Sequence, residues 1–145
     1  MWLRPKKTKF KKYHKGRNSY NIRENQVLKP EFDYAVVALE GARLSEKVIK
    51  SVNDSLRKKA KEDNNATYGL RVYPTFSVTS KPIEVRMGKG KGNVDYWAGR
   101  IKRGGVLVEW NSSNEKYAKK IWSLINSKLG IKTKFISRKV FVTQW

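Results

Sequence analysis

Cysteine is absent from this sequence, histidine occurs once, and acidic residues are few. Without cysteine the chain can form no disulfide, no thiol nucleophile and no zinc site built on cysteine pairs. With His14 as the one histidine, a metal site made of side chains would depend on carboxylates, and the 12 Asp and Glu residues form no suitable cluster along the sequence. We therefore predict no metal site, no cofactor and no catalytic residue.

Long hydrophobic runs are also missing. No window approaches the roughly 18 consecutive apolar residues that a membrane-spanning helix needs. The chain does not open with a charged segment followed by an apolar one, as a signal peptide would. A chain of 145 residues is long enough for one domain with a modest core. We therefore predict a single domain with tails and no membrane span.

Positive charge is what the sequence has in excess. Lys and Arg number 33 against 12 Asp and Glu, which gives a formal net charge of +21 and an isoelectric point near 10.3. Such an imbalance destabilises a compact chain by self-repulsion unless a polyanion neutralises it. Nucleic acid is the usual polyanion, because each cation that meets a phosphate releases condensed counterions. A membrane surface is the other candidate.

Residues 1–31 are the most basic stretch, with ten Lys or Arg against two acidic residues, and they show no apolar period. Such a segment cannot bury enough surface to order itself, so we predict an extended arm that folds on its partner. A solvated tail or a basic mitochondrial transit peptide is the alternative. Aromatic residues between the charges favour stacking or wedging contacts with RNA, namely Trp2, Phe10, Tyr13 and Tyr20.

Short apolar or alternating runs predict six strands in the rest of the chain. The first is a continuous apolar run, typical of a buried strand, and Gly41 ends it. The fourth and fifth flank Gly104 and Gly105, so we predict that these two strands pair as a hairpin. The predicted strands are Tyr34–Leu39, Tyr68–Tyr73, Ile83–Val85, Tyr96–Ile101, Val106–Trp110 and Ile131–Val142.

Two segments have the spacing of amphipathic helices. Ser45 can cap the first, while Ser112 and Glu115 have capping-box spacing for the second, which Gly130 should end. Strands outnumber helices, and two amphipathic helices can cover one face of a sheet. We therefore predict an α+β fold, a two-layer sandwich of a mixed or antiparallel sheet with two helices. The predicted buried positions are Val48, Ile49, Val52, Leu56 and Ala60 in the first helix and Tyr117, Ile121, Leu124, Ile125 and Leu129 in the second.

The stretch 86–93 places glycine at every second position between cations: Arg86-Met87-Gly88-Lys89-Gly90-Lys91-Gly92-Asn93. Glycine permits unusual backbone angles and leaves room for a phosphate or a nucleotide. A nucleotide-binding loop needs Ser or Thr after Gly-Lys, but Gly92 follows Lys91. The dinucleotide fingerprint fails as well, because Asn93 stands in place of its third glycine. A basic loop that faces RNA is favoured, and a mobile loop without a partner is the alternative.

Distinct motifs follow one another along the chain. They are Pro5-Lys6-Lys7-Thr8-Lys9-Phe10-Lys11-Lys12, His14-Lys15-Gly16-Arg17, Gly41, Arg43-Leu44-Ser45, Arg71-Val72-Tyr73-Pro74, Lys81-Pro82, Val85–Asn93, Tyr96-Trp97 and Ile131-Lys132-Thr133-Lys134-Phe135. In this order they resemble the signature segments of the large-subunit ribosomal protein sixteen family, over roughly residues 3 to 136. The chain departs from the family in lacking glycine between Asn18 and Pro30.

The resemblance implies a structural, non-catalytic protein of the large ribosomal subunit, with its α+β core (residues 32–136) among rRNA helices beside the A site. Its arm (residues 1–31) would thread rRNA. Its loop would face the peptidyl transferase centre and the A-site tRNA, and in bacterial relatives the arginine matching Arg86 can be hydroxylated. Neighbouring ribosomal proteins are further implied partners, and an extension (residues 137–145) could pack on one of them.

By position, the residues implied to bind rRNA are Lys6, Lys7, Lys9, Lys11, Lys12, His14, Lys15 and Arg17. For His14, a hydrogen bond to a phosphate or a base is favoured over metal binding. The residues implied to face tRNA or rRNA from the loop are Arg86, Met87, Gly88, Lys89, Gly90, Lys91 and Gly92.

A free RNA-modifying or nucleotide-using enzyme is the alternative function, but the sequence offers it no nucleophile, metal cluster or complete nucleotide loop. As to compartment, 23 Lys against 10 Arg, together with ten Asn, suggest an AT-rich coding genome. With the extra tail, this favours a mitochondrion over a plastid or a bacterial cytoplasm. Because the resemblance begins at Pro5, we expect no presequence before it.

Overall fold

A computed structural model of the chain describes residues 3–16, 28–63 and 66–138. The described residues form seven strands and two helices, which confirms the predicted α+β class. In chain order the elements are β1 (Tyr34–Ala38), β2 (Ala42–Ser45), α1 (Glu46–Glu62), β3 (Tyr68–Leu70), β4 (Phe76–Ser80), β5 (Asn93–Ile101), β6 (Val106–Trp110), α2 (Glu115–Leu129) and β7 (Thr133–Ser137).

The strands divide between two antiparallel sheets. The four-stranded sheet has the order β3-β6-β1-β7, and the three-stranded sheet has the order β2-β5-β4. Strands β1 and β6 are central in the first sheet, which explains their continuous burial, and every residue of β6 is buried. Strand β5 is central in the second sheet, with β2 on one side and β4 on the other.

The predicted hairpin between β5 and β6 is wrong, because these strands belong to different sheets. The connection after β5 crosses to β1. There the N–H of Gly104 donates to the Ala38 carbonyl at 2.8 Å, and the N–H of Ala38 donates to the Gly105 carbonyl at 3.0 Å. Gly104 has φ +82°, a backbone angle that favours glycine. The Gly-Gly pair therefore redirects the chain onto β1 instead of returning it beside β5.

The predicted strand at Ile83–Val85 is also wrong, since these residues lie in an exposed loop and the strand before it is β4. Phe76 and Ser77 of β4 are buried against β5, where Ser77 pairs with Trp97. Strand β2 was not predicted, and the strand predicted to reach Tyr73 ends earlier, at Leu70. The last strand ends at Ser137, and residues 139–142 of that prediction lie outside the described residues.

The main core lies between the helices and the strands. Ile49, Val52 and Leu56 of α1 and Ile121 and Ile125 of α2 are all buried, as their spacing predicted. They join apolar residues from both sheets in one cluster, which includes Leu44, Val36, Val108 and Trp110. The predicted positions Val48, Ala60, Tyr117 and Leu124 are half-buried at the edge of the helices.

Both helices begin and end near the predicted residues, with a different cap for α2. Ser45 occupies the N-cap position of α1 without a side-chain cap bond. Asn114, not Ser112, caps α2, because its side chain accepts from the N–H of Lys116. The Ser112 hydroxyl instead donates to Asp63 Oδ2 at 3.1 Å. Gly130 ends α2 with φ +63°, as predicted.

A buried ion pair lies on the second face of the four-stranded sheet. The Glu109 side chain on β6 is fully buried and accepts from Arg71 Nε at 2.9 Å and from Arg71 Nη2 at 2.7 Å. Its Oε1 also accepts from the backbone N–H of Lys29 at 3.1 Å. Leu28 and Phe32 are buried in the same segment, so residues 28–32 cover this face, and the carboxylate holds the segment at Lys29.

Candidate nucleic-acid interface

Two basic segments that are far apart in sequence meet on the three-stranded sheet. One is the described part of the arm, residues 3–16, called here the arm segment. The other is the basic loop, residues 81–92, which joins β4 to β5. Each is anchored to the sheet through a few contacts, and together they form a continuous cationic surface.

The arm segment is fixed to the core at several points along its length. Leu3 packs against the main core cluster. Arg4 Nε donates to both carboxylate oxygens of Glu46, at 2.8 and 2.6 Å, where α1 begins. Farther along, the Ser77 hydroxyl of β4 donates to the Lys11 carbonyl at 2.7 Å. These contacts hold the backbone of the arm segment and leave its lysine side chains exposed.

Two arginines of the sheet hold the end of the arm segment. Arg43 and Arg100 face each other across β2 and β5, where like charges directly opposite are unfavourable. Arg43 Nη2 donates to the Gly16 carbonyl, and Arg100 Nη2 donates to the Lys15 carbonyl. Carbonyl oxygens of the arm segment thus offset the repulsion between the two guanidinium groups. Arg43 was part of a family motif in the sequence, but its pairing with Arg100 was not identified, because it is visible only in the strand register.

The basic loop has a backbone that its glycines make possible. Gly88, Lys89 and Gly90 have φ values of +93°, +53° and +81°, three consecutive residues in the left-handed region. Lys81 Nζ donates to the Gly88 carbonyl at 2.5 Å and closes the loop internally. At the base of the loop, a Cβ on Gly92 would lie 2.3 Å from the Ser80 carbonyl oxygen, so a side chain there would displace the neighbouring strand.

The arm segment and the basic loop bind each other through main-chain carbonyls. Lys12 Nζ donates to the Lys91 carbonyl at 2.8 Å, and Lys91 Nζ donates to the Tyr13 carbonyl. The exchange is reciprocal, one lysine from each segment bonding the backbone of the other. Both lysines were predicted to bind nucleic acid, and in the structure they join the two segments.

The other predicted residues present their side chains to solvent. Met87 at the end of the loop is fully exposed, at 100%. Arg17 and residues 18–27 of the arm lie outside the described residues, as do residues 139–145 of the extension. The predicted RNA-facing side chains that are exposed in the structure are Lys6, Lys7, Lys9, Lys11, His14, Lys15, Arg86 and Lys89.

The charge of this surface is strongly one-sided. The arm segment has seven basic residues and no acidic one, and the basic loop has four basic residues with Glu84 as its one acid. Clustered like charges raise the local potential and attract a polyanion. The fully exposed aliphatic side chains Ile83 and Met87 lie within the same loop. The surface can therefore offer cations to phosphates and apolar contacts to sugars or bases.

The titratable groups with shifted pKa values lie outside this surface. Burial raises the pKa of Tyr34 on β1, and the other three groups lie where α1 ends. Two hydrogen bonds lower the pKa of the Glu62 carboxyl. The bond from Lys59 has the larger effect and the bond from Tyr117 the smaller one. The bond to Glu62 raises the pKa of Lys59 in turn. Burial, and then the bond to Glu62, raises the pKa of Tyr117. These shifts reflect an ion pair between Lys59 and Glu62 on the surface of α1, which Tyr117 of α2 joins by a hydrogen bond to Glu62.

Within the part of the chain that the structure describes, no group of His, Asp and Glu residues is arranged to hold a metal ion. Among the same residues, neither helix is long and apolar enough to cross a membrane. A family model described as ribosomal protein L16p/L10e matches residues 5–136, which include the arm segment from Pro5 onward, the basic loop and every strand but the last residue of β7.

Proposed function

Because the chain belongs to the ribosomal protein L16p/L10e family, we propose that it binds rRNA near the A site and the peptidyl transferase centre and helps to position A-site tRNA. The family consists of structural proteins of the large ribosomal subunit, and the chain is not an enzyme. Its place is accordingly on the ribosome. The binding to rRNA near the A site and the contact with A-site tRNA are proposed.

The observation that carries the proposal is the joining of arm segment and basic loop into one surface by Lys12 and Lys91. A free enzyme that used a basic surface to approach RNA would still need reactive groups near it. The described part of this surface presents lysines, arginines and a single histidine, which suits binding by charge neutralisation. Its mechanism is then electrostatic bracing of RNA, without covalent chemistry.

The two segments have different proposed roles. The arm segment contributes six exposed lysines on a fixed backbone and would lie along rRNA phosphates. The basic loop extends from the sheet with Arg86, Met87 and Lys89 exposed, and would reach toward the A-site tRNA. Neighbouring large-subunit proteins are further proposed partners, and residues 137–145 are proposed to contact one of them. We propose a mitochondrial ribosome, with a plastid or a bacterial cytoplasm as the alternative.

Sedimentation tests the assignment to the particle. In a high-salt gradient of ribosomal subunits, the protein should travel with the large subunit, because rRNA surrounds its arm. A protein that stayed at the top of the gradient while the subunits remained intact would contradict the proposal.

Binding of the isolated protein to fragments of large-subunit rRNA should weaken steeply as salt rises. If about six to ten phosphates are neutralised, the affinity should fall by roughly 10³ to 10⁵ between about 50 and 200 mM salt, with the relation for duplex DNA as an upper guide. Titration at a series of salt concentrations measures the slope. A nearly flat dependence would exclude the electrostatic mechanism.

A further inference from the structure

We propose that a cleft between the arm segment and the link from β3 to β4 binds one unpaired RNA nucleotide by stacking its base. This inference rests on the proposed binding to rRNA. It adds that the RNA is held by an extruded base as well as by its phosphates. The cleft has a volume of about 490 Å³, enough for a base with part of its sugar, and it opens to solvent.

The walls of the cleft have the composition that suits a base. Tyr13 and Leu3 of the arm segment line one side, and Tyr73 lines the other, next to the fully buried Pro74. Tyr73 is 52% exposed, so its ring contributes little to the core and is available for contact. Aromatic rings stack on unpaired bases whatever their sequence, because every base has a π face.

The rim of the cleft is cationic. Lys7 and Lys9 of the arm segment line it, and both side chains are exposed. A base that enters between the tyrosines would carry its own phosphate to this rim. Aromatic walls with a basic rim match a nucleotide better than an apolar peptide, which gains nothing from the lysines.

The wall that carries Tyr73 is held in place by β5. The N–H of Thr75 donates to the Ala98 carbonyl at 3.0 Å. Gly99 lets the chain approach closely, since a Cβ there would lie 2.6 Å from the Tyr73 carbonyl oxygen. Pro74, which lies between Tyr73 and Thr75 in the chain, is fully buried. The Tyr73 backbone is thus fixed while its ring extends outward.

The opposite wall is held by independent contacts. Arg4 is paired with Glu46 at one end of it, and the Tyr13 carbonyl accepts from Lys91 at the other. Both walls are therefore held by contacts within the protein, and a nucleotide would not have to order the cleft. Little binding free energy is spent on ordering such a site. Stacking of the base should therefore give tighter binding of RNA that has an unpaired base.

The test uses the full chain and two RNA hairpins of equal charge, one fully paired and one with a single bulged 2-aminopurine. Wild-type protein should prefer the bulged RNA. The change Tyr73→Ala should reduce that preference by roughly 5- to 150-fold, the range for loss of one stacked base. Tyr73→Phe should retain it, because the ring remains. Tyr96→Ala is the matched control, since Tyr96 is an exposed tyrosine of β5 that does not line the cleft.

The outcomes separate this inference from the proposed function. If neither RNA is bound, both proposals fail. If both RNAs are bound equally, or if Tyr73→Ala keeps the preference for the bulge, RNA binding stands and the cleft proposal is overturned. A variant that binds both RNAs like wild type but enters the large subunit poorly would instead identify the cleft as a protein contact. Should Tyr73→Ala fold poorly, Lys7→Ala with Lys9→Ala must weaken binding of the bulged RNA more than that of the paired one.

Discussion

The substitution Arg71→Met should lower the free energy of unfolding by about 3–5 kcal/mol, the cost of removing one partner from a buried ion pair. The Glu109 carboxylate is fully buried and depends on two nitrogens of Arg71, with the N–H of Lys29 as a further donor. Without the guanidinium it remains as a buried charge with too few donors. Chemical denaturation followed by tryptophan fluorescence measures the loss, since Trp110 is adjacent to Glu109 in β6.

Two matched variants show whether the buried charge is the cause. Arg71→Met combined with Glu109→Met should recover most of the lost stability, because well-packed apolar residues can replace a buried pair at little cost. Lys59→Met removes the partner of Glu62 in an exposed pair and should change stability little. A loss in Arg71→Met no larger than that in Lys59→Met would show that the pair is not needed for folding.

Changing Arg86 and Lys89 together to Ala should leave large subunits fully assembled but slow A-site tRNA accommodation or peptide transfer. Both side chains are exposed on a loop that buries little apolar surface, so stability should change little. Lys91 is left in place because it bonds the Tyr13 carbonyl, and its loss would loosen the arm segment as well. The measurements are occupancy of the purified subunits and their rate of translation.

Substitutions in the arm segment should impair incorporation into the large subunit. Replacing Lys6, Lys7 and Lys9 by Ala removes three exposed cations, and the slope of log affinity against log salt for rRNA should fall by about 3 if each meets one phosphate. Occupancy in the large subunit should drop accordingly. Lys47, Lys50 and Lys58 of α1 provide the control, an equal change of charge on a helix outside the basic surface.

These two sets of variants can fail separately. Normal translation by fully occupied subunits that carry Ala at residues 86 and 89 would refute the tRNA role of the loop. Normal occupancy with the arm lysines replaced would refute the rRNA role of the arm segment. An equal loss of salt dependence in the α1 variant would show that binding follows total charge and not the basic surface.

The sequence predicted the elements whose signal is local. A local hydrophobic pattern was sufficient to predict four elements, and the structure confirms them: α1, α2, β1 and β6. Strand β4 was missed because its run from Phe76 to Ser80 alternates apolar with hydroxyl residues for barely two periods after Pro74. The division into two sheets was missed for another reason: pairing joins residues distant in sequence, and the four residues between β5 and β6 resemble a hairpin turn.

The positive charge of the candidate surface could be predicted from the sequence, but the contacts that the charged side chains make could not. Exposed lysines follow from composition, since charged side chains are rarely buried without a partner. Sequence could not show that Lys12, Lys91, Arg43 and Arg100 bond main-chain carbonyls, because a carbonyl has no residue-specific signature. Sequence could not show the ion pair of Glu109 either, because its partner Arg71 lies 38 residues away in the chain.

The contacts of the arm segment have a consequence for the order of events during synthesis. The arm residues are made before the groups that hold them. Arg43 and Glu46 follow their partners by 27 and 42 residues, and Ser77 and Arg100 follow theirs only 66 and 85 residues later. At roughly 5–20 residues per second, that interval lasts about 3–17 seconds. For that time the arm segment lacks the part of its docking site that β4 and β5 provide. Docking of the arm segment on the three-stranded sheet can therefore be completed only after β5 has been made.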